Sequence, residues 1–481
     1  DKIIEESGTG MRSYLLSVIK KITPESAFLI LSVLFGICFL IITPPFEVPD
    51  EPVHFERAFI IAQNGILLQK GEVAYPCGFM DYVQTGDINI SLQEGCIEKY
   101  PPIGAFAGPL MYIPQSLGIW IGQIFTRNVA ILFYLGRFFN LLTWIFMGAL
   151  AIKLIPIMKW TLFFLLMMPM SMFIAASLSY DVVSSGLLLL FISLVLKYKV
   201  EENVILGKRE YALFILFSLL IGITGKVNLL FPLLILIIPF KKFSSLKQQF
   251  SFTALMLIIS VGVISLWGMY AYNTFGDVNV KDTTDIVSDY RSQIQVVLTE
   301  PLYFFKVIFV SFVVNNFYFL SFFGVLGWLD ILLPPNLYAL FLIVFPFVLF
   351  LDTGPVKLKI SLFDRLVFLI VIAGSIILTF LYLYLSWSPV RAPVVIGIQG
   401  RYFLPILPLF LLTIYLPRPN IVRPILNLIC PLFVVLALII SLNTVYVTYQ
   451  NGHPNRGKQF TYMVYPQEET HYFEYSYLSF F

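Results

Sequence analysis

Two acidic residues follow the first long apolar segment of the chain, in a proline-rich run. Residues 44–52 read PPFEVPDEP, and these prolines stop the preceding helix and keep the chain extended. Asp50 and Glu51 therefore lie on a stiff turn at the end of an expected membrane span. A carboxylate held in this way suits a general base that acts on a membrane-bound substrate. The alternative is that Asp50 only caps the amphipathic helix that the following residues predict.

Three cations are candidates for binding a negatively charged substrate. Arg401 lies in the segment GIQGRYFLP (397–405), where glycines let a ligand approach the backbone and an arginine can bind phosphate with two nitrogens. It can equally be an interfacial residue whose charge reaches water. Arg137 lies within an apolar segment, which predicts function, although an ion pair with Asp181 would also explain it. Lys226 can face the same cavity or reach lipid headgroups.

Two further segments place polar and aromatic residues on short turns. Residues 177–181 read SLSYD, and Asp181 can contact a substrate or cap the next helix. Residues 324–330 read GVLGWLD, in which Trp328 can stack on a sugar or anchor the chain at the membrane surface.

The cysteines predict one disulfide bond. Cys77 and Cys96 lie in the same polar region, and such a pair in an oxidising compartment is typical of a disulfide, the alternative being two free thiols. The chain has only four cysteines and three histidines, which leaves little room for a metal site built from these residues.

The composition predicts an integral membrane protein. Of the 481 residues, 58% are hydrophobic and 12% are charged, whereas a soluble domain has about 45–50% and about 25%. These values exclude a soluble domain, a disordered chain, a collagen and a coiled coil. The formal net charge of +3 is too small and too scattered for a nucleic-acid partner.

Eleven apolar segments are candidates for transmembrane helices. They are Phe28–Thr43, Val129–Ile152, Trp160–Leu178, Val182–Leu196, Tyr211–Ile223, Val227–Phe240, Ser251–Tyr272, Tyr338–Leu351, Leu366–Leu385, Phe403–Leu416 and Ile425–Val445. Prolines or polar residues interrupt Ile103–Phe125 and Leu302–Phe323, which we expect to be interfacial or re-entrant helices. The sequence thus predicts an all-α polytopic membrane protein with about eleven transmembrane helices.

The distribution of basic residues predicts the orientation of these spans. With the first span as a retained anchor and its N-terminus in the cytoplasm, the connections after spans two, four, six, eight and ten are cytoplasmic. All five are basic: they contain Lys153 and Lys159, KYKVEENVILGKRE, KKFSSLKQQ, VKLKISLFDR and PRPNIVRP. Asp50, Lys226 and Arg401 then face the exported side.

The same reasoning divides the chain into three parts. Residues 1–26 form an N-terminal cytoplasmic segment, and residues 447–481 form an exported aromatic tail. Between them, residues 27–446 form one transmembrane domain that includes two large exported loops, 44–128 and 273–336.

Several segments together resemble a bacterial family of multi-spanning membrane proteins known only as a domain of unknown function. They are PPFEVPDEPVHFERA, LGRFFNLL, SLSYDVVSSG, GKVNLLFPLLILIIP, GVLGWLD and GIQGRYFLPILP, in the family's order over about residues 44–416. Relatives often have proline where this chain has Val227. That family in turn resembles the GT-C glycosyltransferases, which take sugars from polyprenyl phosphates.

The resemblance implies a GT-C-like fold and an inverting sugar transfer on the exported face of the bacterial cytoplasmic membrane. It carries the role of the acidic residue in the first exported loop onto Asp50, with Glu51 as helper or substitute. Arg401, followed by Lys226 and Arg137, would bind the donor phosphate. The candidate substrate-binding residues are His54, Arg57, Asp181, Trp328, Asp330, Gln399 and Tyr402.

The implied partners are a polyprenyl-phosphate sugar donor, an envelope glycan or lipid-linked acceptor, and membrane lipids. No cofactor is required, although Asp50 and Glu51 could hold a divalent metal. Two alternatives stay open: a flippase or transporter of a lipid-linked glycan, and a non-catalytic scaffold for envelope assembly. A flippase should offer access from both faces, whereas the predicted cytoplasmic loops are short and basic.

Overall fold

The computed structural model describes residues 22–67, 73–100, 108–202, 204–275, 289–314, 317–352, 358–415 and 423–452. These residues are mostly helical. The first part of the chain runs through α1 (Pro24–Ile42), α2 (Glu51–Asn64), β1 (Val73–Pro76), α3 (Phe79–Thr85), β2 (Ile97–Tyr100), α4 (Ile113–Gln123), α5 (Val129–Leu154), α6 (Lys159–Leu166), α7 (Pro169–Ala175), α8 (Asp181–Val200) and α9 (Lys208–Thr224).

The second part continues in the same manner. Its elements are α10 (Leu246–Phe275), α11 (Tyr290–Thr299), α12 (Pro301–Val314), α13 (Phe317–Gly324), β3 (Val325–Leu326), β4 (Ile331–Leu332), α14 (Pro335–Leu351), α15 (Leu362–Ser386), α16 (Leu407–Thr413) and α17 (Arg423–Gln450). Short 3-10 segments lie at Pro109–Tyr112, Lys226–Asn228, Phe231–Ile237, Phe240–Lys242 and Gly400–Phe403.

Six of the described helices are long and apolar enough to cross a membrane. They are α1, α5, α8, α10, α15 and α17, and each coincides with one of the eleven predicted spans. A seventh is reached if α11 and α12, bent by 104° at their junction, count as one broken span. The chain is therefore an all-α membrane protein, but the predicted number of about eleven transmembrane helices is wrong.

The remaining predicted spans are apolar but too short or broken. Helices α9 and α14 have 17 residues each, just under the length of a full span. Trp160–Leu178 is divided into α6 and α7 by a break before Pro169, since proline lacks the N–H that would continue the helix. Val227–Phe240 contains only 3-10 turns, and Phe403–Leu416 is broken before α16.

The two halves of Trp160–Leu178 lie in the protein interior, which hydropathy alone cannot reveal. Every residue of α6 and α7 except Lys159 is buried, and their apolar residues other than Pro169 belong to the main hydrophobic cluster. Irregular backbone at membrane depth is tolerated when protein rather than lipid surrounds it. An apolar segment in this chain can therefore be a core element as well as a transmembrane helix.

The region between α2 and α5 forms a small layer of its own beside the helices. Strands β1 and β2 pair antiparallel, with Val73 opposite Tyr100. The predicted Cys77–Cys96 disulfide is present directly after β1, where the Cys77 amide also donates to the Cys96 carbonyl at 3.2 Å. An aromatic cluster that includes Phe55 packs this layer against α5.

Buried lysines cap the carbonyl ends of the short segments at one end of the bundle. Lys199 donates to the Ile237 carbonyl at 3.0 Å and lies 2.9 Å from the Asp364 carboxylate. Lys242 donates to the Tyr198 carbonyl, in the last turn of α8, at 2.5 Å. Cations placed in this way satisfy carbonyls that have no partner within a helix.

The proposed division of the chain stays a prediction. Residues 1–21 and 453–481, which make up most of the expected terminal segments, lie outside the described residues. Helix α17 ends at Gln450, four residues beyond the expected boundary.

Candidate functional site

The turn before α2 is fixed by a buried ion pair that joins Glu51 to Arg137 of α5. Arg137 donates from Nε and Nη2 to the two Glu51 carboxylate oxygens at 2.8 and 2.6 Å, and both side chains have zero exposure. Arg137 also donates to the carbonyls of Thr43 and Pro44 at 2.6 and 2.9 Å. The expected pairing of Arg137 with Asp181 is therefore wrong. This geometry gives Glu51 and Arg137 a structural role.

Other elements hold the same turn from further directions. Glu51 accepts hydrogen bonds from the amides of Phe46 and Leu178, each at 3.1 Å. Trp328, in the β3–β4 turn, donates from its indole nitrogen to the Phe46 carbonyl at 2.7 Å. Trp328 thus anchors the turn through a hydrogen bond, and Asp330 lies two residues further along that hairpin.

Asp50 occupies the N-cap position of α2, but its side chain makes no capping hydrogen bond. Its backbone is left-handed, with φ of 63° and ψ of 8°, which is uncommon for a residue other than glycine. Burial raises the pKa of the Asp50 carboxyl, while the charge of Arg401 lowers it and that of Asp181 raises it. Backbone strain of this kind, here at a residue whose carboxylate makes no capping hydrogen bond, is found at functional sites.

Arg401 is a cation within electrostatic reach of Asp50. Its Nε lies 3.0 Å from the Oδ2 atom of Asp181, the first residue of α8. Within the part of the chain that the structure describes, neither Nε nor Nη1 makes a hydrogen bond with good geometry. Burial lowers the pKa of Arg401, but Asp181, followed by Tyr402, Asp50 and Tyr180, together outweigh it, so that the net shift is upward. Asp50, Asp181 and Arg401 thus form one charged group.

A close contact with α13 positions the 3-10 segment that carries Arg401. The Gly400 amide donates to Ser321 Oγ at 2.8 Å. A Cβ atom on Gly400 would lie 2.2 Å from the Phe322 amide nitrogen and 2.3 Å from the Tyr318 carbonyl oxygen. Only glycine fits at this position without displacing the segment.

Aromatic residues form the wall beside the charged group. His54 Nδ1 lies 2.9 Å from the Tyr112 hydroxyl, and the His54 ring packs edge-on against Tyr180. Burial and then the charge of Arg401 lower the pKa of His54 to about 3, so the ring is neutral near pH 7. Tyr402 lies with its ring centroid 5.6 Å from the Arg401 guanidinium carbon.

The remaining sequence candidates are placed as follows. Gln399 is buried next to Arg401, and its side-chain oxygen has no hydrogen bond in the described ranges. Arg57 is fully buried in α2. Lys226 begins the 3-10 segment after α9, but its side chain lies outside the described residues. That segment is held to α8 by Asn228, which donates to Ser184 Oγ at 3.4 Å.

Sequence reasoning missed Tyr112, which no motif contained, and quoted Tyr180 only as part of SLSYD.

Among the described residues there is no group of three or more His, Cys, Asp or Glu side chains that could hold a metal. A cavity of about 20 Å³ lies behind the Asp181–Arg401 pair, lined in part by Ser171 and Ser185. A cavity of this size holds about one water molecule.

One family model matches the chain, over residues 103–410, and its description is "Predicted membrane protein (DUF2142)". This range contains Asp181 and Arg401 but not Asp50. No curated protein and no solved structure matches the chain. The family match covers more than half of the 481 residues and agrees with the six membrane-length helices. The chain therefore belongs to the DUF2142 family of predicted membrane proteins.

Proposed function

We propose that this protein is an inverting membrane glycosyltransferase. It transfers a sugar from a polyprenyl-phosphate donor to an envelope glycan or lipid-linked acceptor on the exported face of the bacterial cytoplasmic membrane, and its fold is GT-C-like. The observation that carries the proposal is Asp50, whose backbone is left-handed and whose carboxylate makes no capping bond and lies within electrostatic reach of Arg401.

In the proposed reaction Asp50 is the general base. The acceptor hydroxyl oxygen attacks the anomeric carbon while the carbon–oxygen bond to phosphate breaks, and its electron pair stays on the phosphate oxygen. The hydroxyl proton passes to Asp50, and polyprenyl phosphate leaves. The raised pKa supports this role, because a carboxylate with a pKa closer to the working pH accepts a proton more readily.

Arg401 stabilises the negative charge that develops on the departing phosphate. A buried guanidinium is effective in this role because its charge acts through a medium of low polarity. Its Nη1 atom has no hydrogen-bond partner in the described chain, and its Nε faces Asp181 without hydrogen-bond geometry. Lys226 remains a proposed second contact. Arg137 is left out because Glu51 and backbone carbonyls occupy its donors.

The test is sugar transfer by the purified full-length protein in liposomes that contain a polyprenyl-phosphate sugar. Released polyprenyl phosphate supports the transferase. Movement of the intact lipid without release would indicate a flippase instead. If neither event occurs, the scaffold is the remaining alternative. Addition of EDTA to the same assay tests whether a divalent metal takes part.

The decisive variant is Asp50→Asn. Asparagine keeps the side-chain volume and tolerates the left-handed backbone, so the protein should fold and insert normally. Removal of a general base costs about 10²–10⁴-fold in rate. Asp81→Asn is the matched control, because Asp81 is an exposed residue of α3. Near-normal transfer by Asp50→Asn would exclude Asp50 as the base.

A further inference from the structure

Arg57 is a buried cation without a hydrogen-bond partner among the described residues. Its side chain has zero exposure, and its three guanidinium nitrogens make no hydrogen bond to any described residue. Arg137, equally buried, uses its nitrogens on one carboxylate and backbone carbonyls. A buried cation whose nitrogens make no hydrogen bond is costly, and an anionic ligand would offset that cost.

Polar aromatic residues from separate elements surround this guanidinium. Tyr75 of β1, Tyr112 of the 3-10 segment before α4 and Tyr270 of α10 all lie within electrostatic reach of Arg57. Burial lowers the pKa of Arg57, and these hydroxyls and Glu56 oppose that shift. The one carboxylate among these groups, Glu56, already accepts a hydrogen bond from the Tyr75 hydroxyl. The surroundings therefore supply hydroxyl groups but no free counter-ion for Arg57.

The position of Arg57 connects it to the proposed site. Asp50, His54 and Arg57 are spaced by four and three residues, which places them on one face of α2. Seven residues correspond to about 10 Å along the helix axis. Tyr112 connects Asp50 and Arg57, the two ends of this face. It contacts His54 and is within electrostatic reach of both Arg57 and Asp50.

We propose that Arg57 forms an oxyanion subsite, distinct from Arg401, that binds a phosphate or carboxylate group. A guanidinium presents parallel N–H donors that match either group. If the proposed function holds, on which this assignment rests, Arg401 takes the donor phosphate. Arg57 then takes an anionic group of the acceptor, so that the acceptor class is an anionic glycan or lipid-linked phosphate. Because the three nitrogens are covered, the ligand enters by a movement of the surrounding walls.

The binding test uses thermal unfolding of the purified full-length protein in detergent. Sodium phosphate and sodium acetate are compared with sodium chloride at equal ionic strength. Phosphate or acetate should raise the unfolding temperature of the native chain, and Arg57→Met should abolish that rise. Without added anion, Arg57→Met should be as stable as the native chain or more stable, because the unpaired buried charge is gone. Arg127→Met is the control, since Arg127 is half-exposed and pairs with Glu94 on the surface.

Three results would overturn the subsite. One is an unchanged unfolding temperature of the native chain with either anion. Another is an Arg57→Met protein that is less stable without anion yet keeps the full rise, which would make Arg57 a structural residue. The third is a rise with micellar phosphatidylglycerol only, which would assign Arg57 to lipid headgroups. If Arg57→Met fails to fold, Arg57→Lys should fold and show a reduced rise, because an ammonium cannot bind with two nitrogens; an undiminished rise would refute the subsite.

The transfer assay separates this inference from the proposed function. Arg57→Lys should raise the KM for an anionic acceptor by about tenfold or more while the KM for the donor stays nearly unchanged. Asp50→Asn should keep the phosphate-dependent rise in unfolding temperature and lose transfer. If the native chain shows an Arg57-dependent rise but no transfer activity, the anion subsite is retained, whereas the acceptor assignment and the glycosyltransferase are both refuted.

Discussion

The Glu51–Arg137 pair allows the structural acid of the turn, Glu51, to be distinguished from the proposed catalytic acid, Asp50. Glu51 accepts four hydrogen bonds, two from Arg137 and one each from the amides of Phe46 and Leu178. Glu51→Gln leaves Arg137 charged and buried, and turns one acceptor oxygen into a donor. Removal of one partner of a buried pair costs about 3–5 kcal/mol, against a typical total stability of about 5–15 kcal/mol. We expect Glu51→Gln to lose this amount.

Denaturant titration of the purified protein in micelles, followed by tryptophan fluorescence, measures the loss. The matched control is Glu94→Gln, because the Glu94–Arg127 pair is exposed, and such pairs contribute about 0–1 kcal/mol. The double variant Glu51→Leu with Arg137→Met should be more stable than Glu51→Gln, since it removes both charges. Its remaining deficit should reflect the three carbonyls that lose the Arg137 donor and the two amides that lose the Glu51 acceptor.

The structural role of Glu51 can be refuted by one combination of stability and activity. A Glu51→Gln protein that unfolds like the native chain but has lost sugar transfer would refute the reasoning and make Glu51 a catalytic residue. Asp50→Asn in the same titration should stay within about 0.5 kcal/mol of the native chain, because the Asp50 side chain makes no capping bond.

Four further predictions follow from the charged group and the bundle. In pH–rate profiles, the acid limb of kcat/KM should lie above the ordinary aspartate pKa, because burial raises the pKa of Asp50. Asp181→Asn should move this limb to lower pH and Arg401→Gln should move it to higher pH. Shifts of the opposite sign would show that these charges do not act on Asp50. Arg401→Lys should reduce transfer severely although it keeps the charge, with the loss in donor rather than acceptor kinetics; native donor kinetics would remove Arg401 from the site. Gly400→Ala should reduce transfer by moving the segment that carries Arg401 away from α13, and full activity would contradict the tight contact. A cysteine at Lys241 should resist a membrane-impermeant label in intact cells, and labelling would reverse the proposed orientation.

The long helices could be predicted from the sequence because each is one uninterrupted apolar run. Hydropathy does not state what surrounds a segment, and Trp160–Leu178 is as apolar as a span although protein encloses it. Pro169 marked the break in that segment, but a proline can also be accommodated within a transmembrane helix. The number of spans therefore required the tertiary structure.

For the site, residue type identified Asp50 and Arg401, and the structure brings them within electrostatic reach of each other. The partners of the cations could not be predicted, because Arg137 and Glu51 are 86 residues apart and several acids were available in the sequence. Tyr112 was missed because a tyrosine in an aromatic-rich chain carries no signal of its own.

The lysine caps at one end of the bundle affect how the insertion of this protein can be studied. In the orientation predicted from the sequence, Lys199 and Lys242 contribute to the charge bias that guides a nascent chain into the membrane. In the folded protein each also donates to a carbonyl at the end of a helical segment. Exchanging either residue would therefore alter biogenesis and folded-state stability together. Lys241 is exposed although it adjoins the buried Lys242. Variants of the two neighbours should therefore separate the effects on insertion and on stability. Charge reversal at Lys241 should change the charge bias during insertion, whereas truncation of Lys242 should remove a cap of α8 in the folded protein.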